Sequence, residues 1–309
     1  MQAATNLTPV RLHPATRLGA VHLTVANLER SLAFYQQVLG FQLHARTDQG
    51  AALGAGRMDL LQLVEVPGGR PVSHHAGLYH LALLTPSRLA LGQVLRSLVE
   101  HGVQIGGSDH LVSEAIYLND PDGIGIEIYC DRPRARWPYE QGRLVMGSRP
   151  LDYQGLLCGL VNEPTCWSGL AAETVIGHIH LHVDHLPPAV AFYRDCVGFE
   201  VMAHWPNAAF FAAGGYHHHV GANTWAGVGA PPPPVDAVGL RHFVITLANE
   251  EELTHLSERL VYGGVTVEER MDGLFVRDPA QNGIVFVVAP AVDQETSRSQ
   301  RKAIIYNFT

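Results

Sequence analysis

Charged residues are scarce in this sequence: Asp, Glu, Lys and Arg make up only 16% of its 309 residues. The 29 acidic residues outnumber the 21 basic ones, the formal net charge is −8, and no long basic run is present. Nucleic acids and anionic membrane surfaces attract clustered positive charge, so we expect neither as a partner.

Long hydrophobic runs are also missing. No stretch approaches the ~20 consecutive apolar residues that a membrane-spanning helix needs. The first residues, MQAATNLTPVRLHPATR, lack the apolar core of a secretory signal peptide. These absences predict a cytoplasmic protein without a membrane partner.

Cysteine is rare as well. Four cysteines occur and no two of them form a Cys-x-x-Cys pair: Cys130, Cys158, Cys166 and Cys196. A disulfide framework needs a denser set in a chain of this length. We therefore expect reduced cysteines with a structural role.

Histidine, by contrast, is abundant, with 18 residues against 21 for Lys and Arg combined, and 47% of the chain is hydrophobic. At ~100–200 residues per domain, the length corresponds to about two domains and is sufficient for a large core. A histidine content this high indicates a chemical role for some of these residues.

The chain repeats itself. VHLTVANLERSLAFYQQVLGF, from Val21 to Phe41, aligns without a gap with IHLHVDHLPPAVAFYRDCVGF, from Ile179 to Phe199. Two shorter pairs follow: GLYHLALLTP from Gly77 with GLRHFVITLA from Gly239, and DPDGIGIEIY from Asp120 with DPAQNGIVFV from Asp278. The repeat unit is therefore about half of the chain.

Each half divides again into two segments in which an alternating strand, an amphipathic helix and further strands follow one another. This order predicts four βαβββ modules, numbered one to four, at 16–68, 76–131, 175–226 and 237–290. We expect an N-terminal domain at 16–131, a linker at 132–174, a C-terminal domain at 175–290 and a tail at 291–309.

Four such modules resemble the vicinal oxygen chelate superfamily, which includes glyoxalase I, bleomycin-resistance proteins and extradiol ring-cleaving dioxygenases. The resemblance implies an α+β fold in which modules pair into half-open barrels, with a divalent metal on the concave face. Since one fold serves many reactions, the function has to be argued from the residues of the site.

The superfamily's ligand positions can be placed on this sequence by counting. The first-strand position falls on His178, His80 and His242 in modules three, two and four, but on Ala20 in module one. A methyl group cannot bind a metal; His22, two residues on, is a weak substitute. The alternative for each lone histidine is a capping or core role.

The carboxylate position lies in the last strand, seven residues after the Asp of a D-P turn. It falls on Glu127 in module two and on Val285 in module four. A carboxylate in the apolar run GIGIEIY is costly to bury without a partner, and its alternative is an exposed strand residue.

Module two also carries HLVSEAIYLNDPDGIGIE, from His110 to Glu127, which resembles the extradiol dioxygenase signature. The residues in place are His110, Ile116, Tyr117, Asp120, Pro121, Gly123 and Glu127, and the one departure is Ser108. Module four has Phe275 where module two has Tyr117.

A set of two histidines and one carboxylate leaves three positions open on an Fe(II) ion. Module two supplies His80 and Glu127, and module three supplies His178. We therefore predict that modules two and three pair, within one chain or across a dimer. If modules three and four paired instead, His178 and His242 would be left beside Val285.

Module three contains GGYHHHVGANTW, which aligns with a histidine run of extradiol enzymes and puts His218 at the acid/base position. A register shift by one would move this role to His217 or His219, and an exposed strand is the alternative. Strand alternation would direct His218 to one face and its two neighbours to the other.

By resemblance, Tyr117 would hydrogen-bond the bound substrate, with a half-buried strand aromatic as its alternative, and His110 would support that region or contact substrate. The resemblance implies extradiol cleavage of an aromatic diol by O2 with Fe(II), or Mn(II), in a homo-oligomer. A metal-dependent glyoxalase-type isomerase or thiol transferase, or a non-catalytic binding protein, are the alternatives.

Overall fold

The computed structural model describes residues 11–163 and 167–289, so Cys166 and the expected tail at 291–309 lie outside the described part. Cys130, Cys158 and Cys196 are free thiols, as expected. Within the described residues, two eight-stranded sheets and one two-stranded sheet are present.

Modules one and two follow the predicted order. Module one consists of β1 (Arg17–Val25), α1 (Leu28–Ala33) continuing as a π-helix (Phe34–Val38), β2 (Gln42–Arg46), β3 (Gly50–Ala55) and β4 (Met58–Glu65). Module two consists of β5 (Gly77–Leu84), α2 (Arg88–Glu100), β6 (Gly106–Asp109), β7 (Ser113–Asn119) and β8 (Gly125–Asp131).

The predicted linker carries a 3₁₀ turn (Arg134–Arg136), the strands β9 (Tyr139–Glu140) and β10 (Arg143–Leu144), and the helix α3 (Tyr153–Cys158).

Modules three and four repeat the order. Module three consists of β11 (Val175–His182), α4 (Leu186–Ala191) continuing as a π-helix (Phe192–Val197), β12 (Glu200–Trp205), β13 (Ala208–Ala212) and β14 (Val220–Asn223). Module four consists of β15 (Gly239–Leu247), α5 (Glu250–Tyr262), β16 (Glu268–Arg270), β17 (Gly273–Arg277) and β18 (Gly283–Val288).

Short polar side chains start the helices. Asn27, Ser87 and Asn249 precede α1, α2 and α5, and each side-chain oxygen accepts a hydrogen bond from the backbone N–H three residues on. Such caps satisfy backbone donors that have no partner inside the helix, and each stabilises its helix by about 1 kcal/mol.

The modules pair in crossed fashion within one chain, which confirms the prediction. One sheet, with the order β12-β13-β14-β11-β5-β8-β7-β6, joins modules three and two; we call it sheet 2–3. The other, β16-β17-β18-β15-β1-β4-β3-β2, joins modules four and one and is called sheet 1–4. The halves at 16–131 and 175–290 therefore share both sheets.

Strand alternation places the side chains of the site on the face of the sheet opposite the core. On β11, Ile179 and Leu181 belong to the hydrophobic core, whereas His178 and His180 lie on the opposite face. On β8, Ile126 and Ile128 enter the same core, and Glu127 between them faces the histidines. Burial of each aliphatic side chain contributes roughly 1.5–3 kcal/mol and fixes which face Glu127 presents.

Each half is also tied together by a buried tyrosine. Tyr35 donates to Asp120 at 3.1 Å, and Tyr193 donates to Asp278 at 3.0 Å. Burial raises the pKa of Asp120 and of Asp278 to about 6, although backbone and side-chain hydrogen bonds oppose this shift. The D-P turns that precede β8 and β18 are thus anchored to the helices of the preceding modules.

Candidate active site

Three predicted metal ligands meet at the centre of sheet 2–3. The Nε2 of His80 on β5 lies 3.0 Å from the Oε2 of Glu127 on β8, and the Nε2 of His178 on β11 lies 3.1 Å from the same oxygen. The two histidine nitrogens are 3.3 Å apart. Among the described residues, this is the one group of three His, Cys, Asp or Glu side chains close enough to hold a metal ion together.

The separations of 3.0, 3.1 and 3.3 Å let all three ligand atoms contact a single ion. Two histidines and one carboxylate are the usual ligand set of non-haem Fe(II) oxygenases.

Burial and nearby charges shift the pKa of Glu127 in opposite directions. Burial alone would raise the pKa of Glu127, but the charges and hydrogen bonds of His178 and His80 outweigh it and hold that pKa well below its usual value. Burial lowers the pKa of His178 to about 4, against the attraction of Glu127. A carboxylate is therefore buried between two imidazoles, where a divalent cation would balance its charge.

The donor set fits a divalent metal ion. His178 and Glu127 are almost fully buried, and His80 is 6% exposed, so the three side chains are held without competition from bulk water. In the described part of the chain, the buried Nδ1 of His178 has no hydrogen-bond partner, while its Nε2 points into the triangle.

Tyr117 and His110 form a hydrogen-bonded pair beside the triangle. Tyr117 is the cross-strand partner of Glu127, and its hydroxyl lies 2.6 Å from the Nε2 of His110. The Nδ1 of His110 lies 2.7 Å from the carbonyl oxygen of Gly147 and must donate to it, so the Nε2 of a neutral His110 accepts from Tyr117. Burial and the nearby Glu127 raise the pKa of Tyr117 well above its usual value, and the phenol stays protonated.

The three consecutive histidines do not lie on a strand. His217, His218 and His219 are buried in the connection between β13 and β14, which excludes an exposed strand. The expected alternation is wrong: the Nδ1 atoms of His217 and His218 are 2.8 Å apart, so these rings share one side. His219 faces elsewhere, stacked on Phe199 and accepting from the backbone N–H of Ala213.

A cavity of about 260 Å³ opens above the triangle. Its floor contains the predicted residues His80, Glu127, His178, His218, Tyr117 and His110. Most of its wall was not predicted from the sequence; it consists of Tyr79, Ser108, Val112, Ser113, Met146, Ser148, His180, Trp205, Phe210, His217 and Trp225. Met146 and Ser148 belong to the predicted linker, which therefore takes part in the site.

The second carboxylate position of sheet 2–3 is occupied by glycine. Gly221 on β14 pairs with His180 in the way that Glu127 on β8 pairs with Ala82. The histidine run lies in the connection before β14 and does not occupy this position. A Cβ on Gly221 would come within 2.9 Å of the His180 ring, so this histidine fills the space that a larger side chain would need.

The corresponding place in sheet 1–4 keeps His242 but has lost the second histidine and the carboxylate. His242 pairs with His22 across β15 and β1, as His80 pairs with His180 across β5 and β11, and Val285 stands where Glu127 does. His22, the weak substitute for Ala20, stacks on His242 with ring centroids 3.9 Å apart. This pair lies outside the cavity.

His22 and His242 predict a dependence of stability on pH. Burial lowers the pKa of His22 to about 4 and of His242 to about 2. Both accept protons more readily in the unfolded chain, near pH ~6.5, so stability is lost as the pH falls below this value. For His22 alone the loss should be on the order of 3 kcal/mol by pH ~4.

Denaturant unfolding of the metal-free chain between pH 7 and pH 4 checks this. The double variant His22→Phe, His242→Phe should lose less stability on acidification than the unmodified chain. In both proteins, Asp120 and Asp278 have the opposite effect on stability as the pH falls. Their raised pKa values favour proton uptake by the folded state. Equal slopes in the two proteins would contradict the assignment.

The chain matches the model of the Glyoxalase/Bleomycin resistance protein/Dioxygenase superfamily over residues 17–128 and 175–286. It therefore belongs to this superfamily, as the resemblance predicted. It is 45% identical over 284 residues to the catechol-2,3-dioxygenase of Bacillus subtilis (strain 168), covering 90% of this chain and 99% of that one. This similarity confirms a dioxygenase-like enzyme.

Solved structures show the same fold at low identity. Glyoxalase I from Zea mays matches with a TM-score of 0.53 and 14% identity, covering 89% of this chain and 92% of that chain. A candidate dioxygenase from Bacillus subtilis subsp. subtilis str. 168 matches with a TM-score of 0.59 and 11% identity, covering 91% and 86%. None of the described helices is both long and apolar enough to cross a membrane.

Proposed function

We propose that this protein is an Fe(II)-dependent extradiol dioxygenase that opens the ring of an aromatic 1,2-diol with O2. The observation that carries the proposal is the closed triangle of His80, Glu127 and His178 at the floor of an aromatic cavity. Three ligands on one face leave three adjacent positions, enough for both diol oxygens and O2. Mn(II) accepts the same ligands.

When bound, the metal would orient both substrates and pass electrons between them. The protein's own contribution begins with the cavity wall. Trp205, Phe210 and Trp225 offer apolar surface to the substrate ring, and a space of about 260 Å³ suits a small aromatic molecule. Contact with these side chains displaces water from the ring, which favours binding and protects the reacting groups.

His218 is the proposed acid and base. Its ring lies 4.1 Å from the ring of His178, between centroids, and it lines the cavity. Burial lowers the pKa of His218 well below its usual value, and the neighbouring histidines act in the same direction. The imidazole is therefore neutral at physiological pH and can take a proton from a substrate hydroxyl, then return it when the ring opens.

Tyr117 is proposed to hold a substrate oxygen. Because its O–H donates to His110, its oxygen lone pair remains free to accept a hydrogen bond from a protonated substrate oxygen. His110, fixed in turn by Gly147, is proposed to keep the Tyr117 hydroxyl in this orientation.

Tyr117→Phe is expected to lower kcat/KM for catechol by about 10- to 100-fold, since a hydrogen bond of this kind contributes ~1.5–3 kcal/mol. The content of bound iron should not change, because the phenol is no part of the triangle. Steady-state kinetics with metal analysis checks this. The control is Tyr139→Phe at an exposed strand position; a similar loss there would contradict the assignment.

The glyoxalase-type isomerase fits less well. Isomerases of this fold usually bring a second carboxylate to the metal, and Gly221 leaves that position empty of any ligand. The cavity instead contains one carboxylate and several histidines, and histidines can transfer the protons that ring opening requires.

Anaerobic reconstitution tests the proposal. The chain loaded with Fe(II) and mixed with catechol should form a yellow ring-opened product when O2 is admitted, with equimolar consumption of O2. The Zn(II)-loaded chain should form none. Full occupancy by Fe(II) without turnover of any catechol in a panel would overturn the proposal, and tight Zn(II) binding with isomerase activity would favour the alternative.

A further inference from the structure

A chain of buried hydrogen bonds leads from His218 towards the protein surface. The Nδ1 of His218 lies 2.8 Å from the Nδ1 of His217, and the Nε2 of His217 lies 2.9 Å from the Oδ1 of Asp131 at the end of β8. His217 is 1% exposed, whereas the Asp131 side chain is 25% exposed. Asp131 is four residues beyond Glu127 and belongs to none of the roles assigned so far.

The direction of each hydrogen bond follows from Asp131. A carboxylate only accepts, so the Nε2 of His217 must donate to it. A neutral His217 then has an unprotonated Nδ1, which accepts the Nδ1–H of His218. His218 is left with an unprotonated Nε2, and that is the state in which it can take a proton from the substrate.

The second oxygen of Asp131 is fixed as well. Oδ2 accepts from the hydroxyl of Tyr216 at 2.9 Å, and this hydroxyl also bonds that of Tyr129 at 2.7 Å. The Tyr216 ring packs on His217 with centroids 4.1 Å apart, and Trp137 contacts the same imidazole from 5.5 Å. Asp131 and His217 therefore have little freedom to reorient.

We propose that Asp131 and His217 are positioning residues that hold His218 as the Nδ1–H tautomer, with its unprotonated Nε2 presented to the cavity. The inference rests on the proposed function, in which His218 is the base. The arrangement parallels the way in which a buried aspartate fixes the tautomer of a catalytic histidine in serine proteases. In this protein, His217 lies between Asp131 and His218.

Nitrogen NMR of the metal-free, ¹⁵N-histidine-labelled full chain tests the tautomer directly. The signals of His218 are identified by their loss in His218→Phe. In the unmodified chain its Nδ1 should carry the proton and its Nε2 should not. In Asp131→Ala and in His217→Phe, which keeps the aromatic packing, the Nε2–H form of His218 should appear.

Kinetics of the Fe(II)-loaded variants provides the second measurement. Both substitutions should lower kcat about 10- to 100-fold, as is usual when the partner that orients a catalytic group is removed. The KM for catechol and the affinity for iron should stay nearly unchanged. Asp184→Ala, which removes a partly exposed aspartate bonded to His185, is the matched control and should alter neither readout.

The outcomes separate this inference from the proposed function. A proton on the Nε2 of His218 in the unmodified chain, an unchanged tautomer in both variants, or an unchanged kcat would overturn the positioning role. Full activity of His218→Phe would instead overturn the assignment of His218 as the base, whatever the tautomer.

Discussion

Replacing Glu127 with Ala is expected to abolish tight binding of Fe(II) or Mn(II). Glu127 is the one carboxylate of the triangle, and its Oε2 lies within 3.1 Å of both histidine nitrogens. Loss of residues that only orient a metal ligand weakens binding by about 10- to 100-fold, and loss of the anionic ligand itself should exceed ~100-fold. Anaerobic calorimetric titration with Mn(II) measures this without oxidation of the metal.

The position in sheet 1–4 that corresponds to the metal triangle supplies the controls. Val285→Ala changes the position that corresponds to Glu127, and His242→Ala changes the one that corresponds to His80. Both variants should bind Mn(II) as the unmodified chain does. Tight binding of Mn(II) by Glu127→Ala together with weak binding by His242→Ala would show that the metal binds in sheet 1–4 and not in sheet 2–3. This result would contradict the assignment.

Replacing His218 with Phe is expected to lower kcat by ~10²- to 10⁴-fold, the usual contribution of a general acid or base. The phenyl ring retains the packing against His178 and Phe210 but has no nitrogen to exchange a proton. Binding of iron and the KM for catechol should change little. Single-turnover kinetics of the iron-loaded variant checks the effect on chemistry separately from product release.

His219 is the control for this prediction. It points away from the cavity, and Asn at this position can retain the hydrogen bond from the Ala213 N–H. His219→Asn should therefore show a kcat close to that of the unmodified chain. If His219→Asn lost activity and His218→Phe did not, the acid and base would have to be sought elsewhere in the histidine run.

The resemblance supplied the ligand positions, and counting along the repeated strands placed them on this sequence, which predicted the triangle and the crossed pairing. Strand periodicity fixes which side chains share a face, and Ala20 removes module one from the set of possible partners. Buried Ile126 and Ile128 on either side of Glu127 show why the pattern is reliable here, since a register error would exchange core and site.

The cavity wall could not be predicted in the same way. Met146, Trp205 and Trp225 come from three separate segments, and only the folded chain brings them together. The orientation of His217 and His218 was predicted wrongly because the run lies in a turn, where alternation does not apply. A signal was available in Gly214 and Gly215, which precede the run and adopt left-handed φ angles of 60° and 67° that end β13.

The most direct test of the central claim is the fate of isotopically labelled oxygen. The Fe(II)-loaded chain should convert catechol under ¹⁸O₂ into a ring-opened product that carries both labelled atoms, apart from exchange of the aldehyde oxygen with water. Mass spectrometry after immediate reduction of the aldehyde measures this. Product with a single labelled atom under these conditions, or with none, would contradict dioxygenase chemistry at this site.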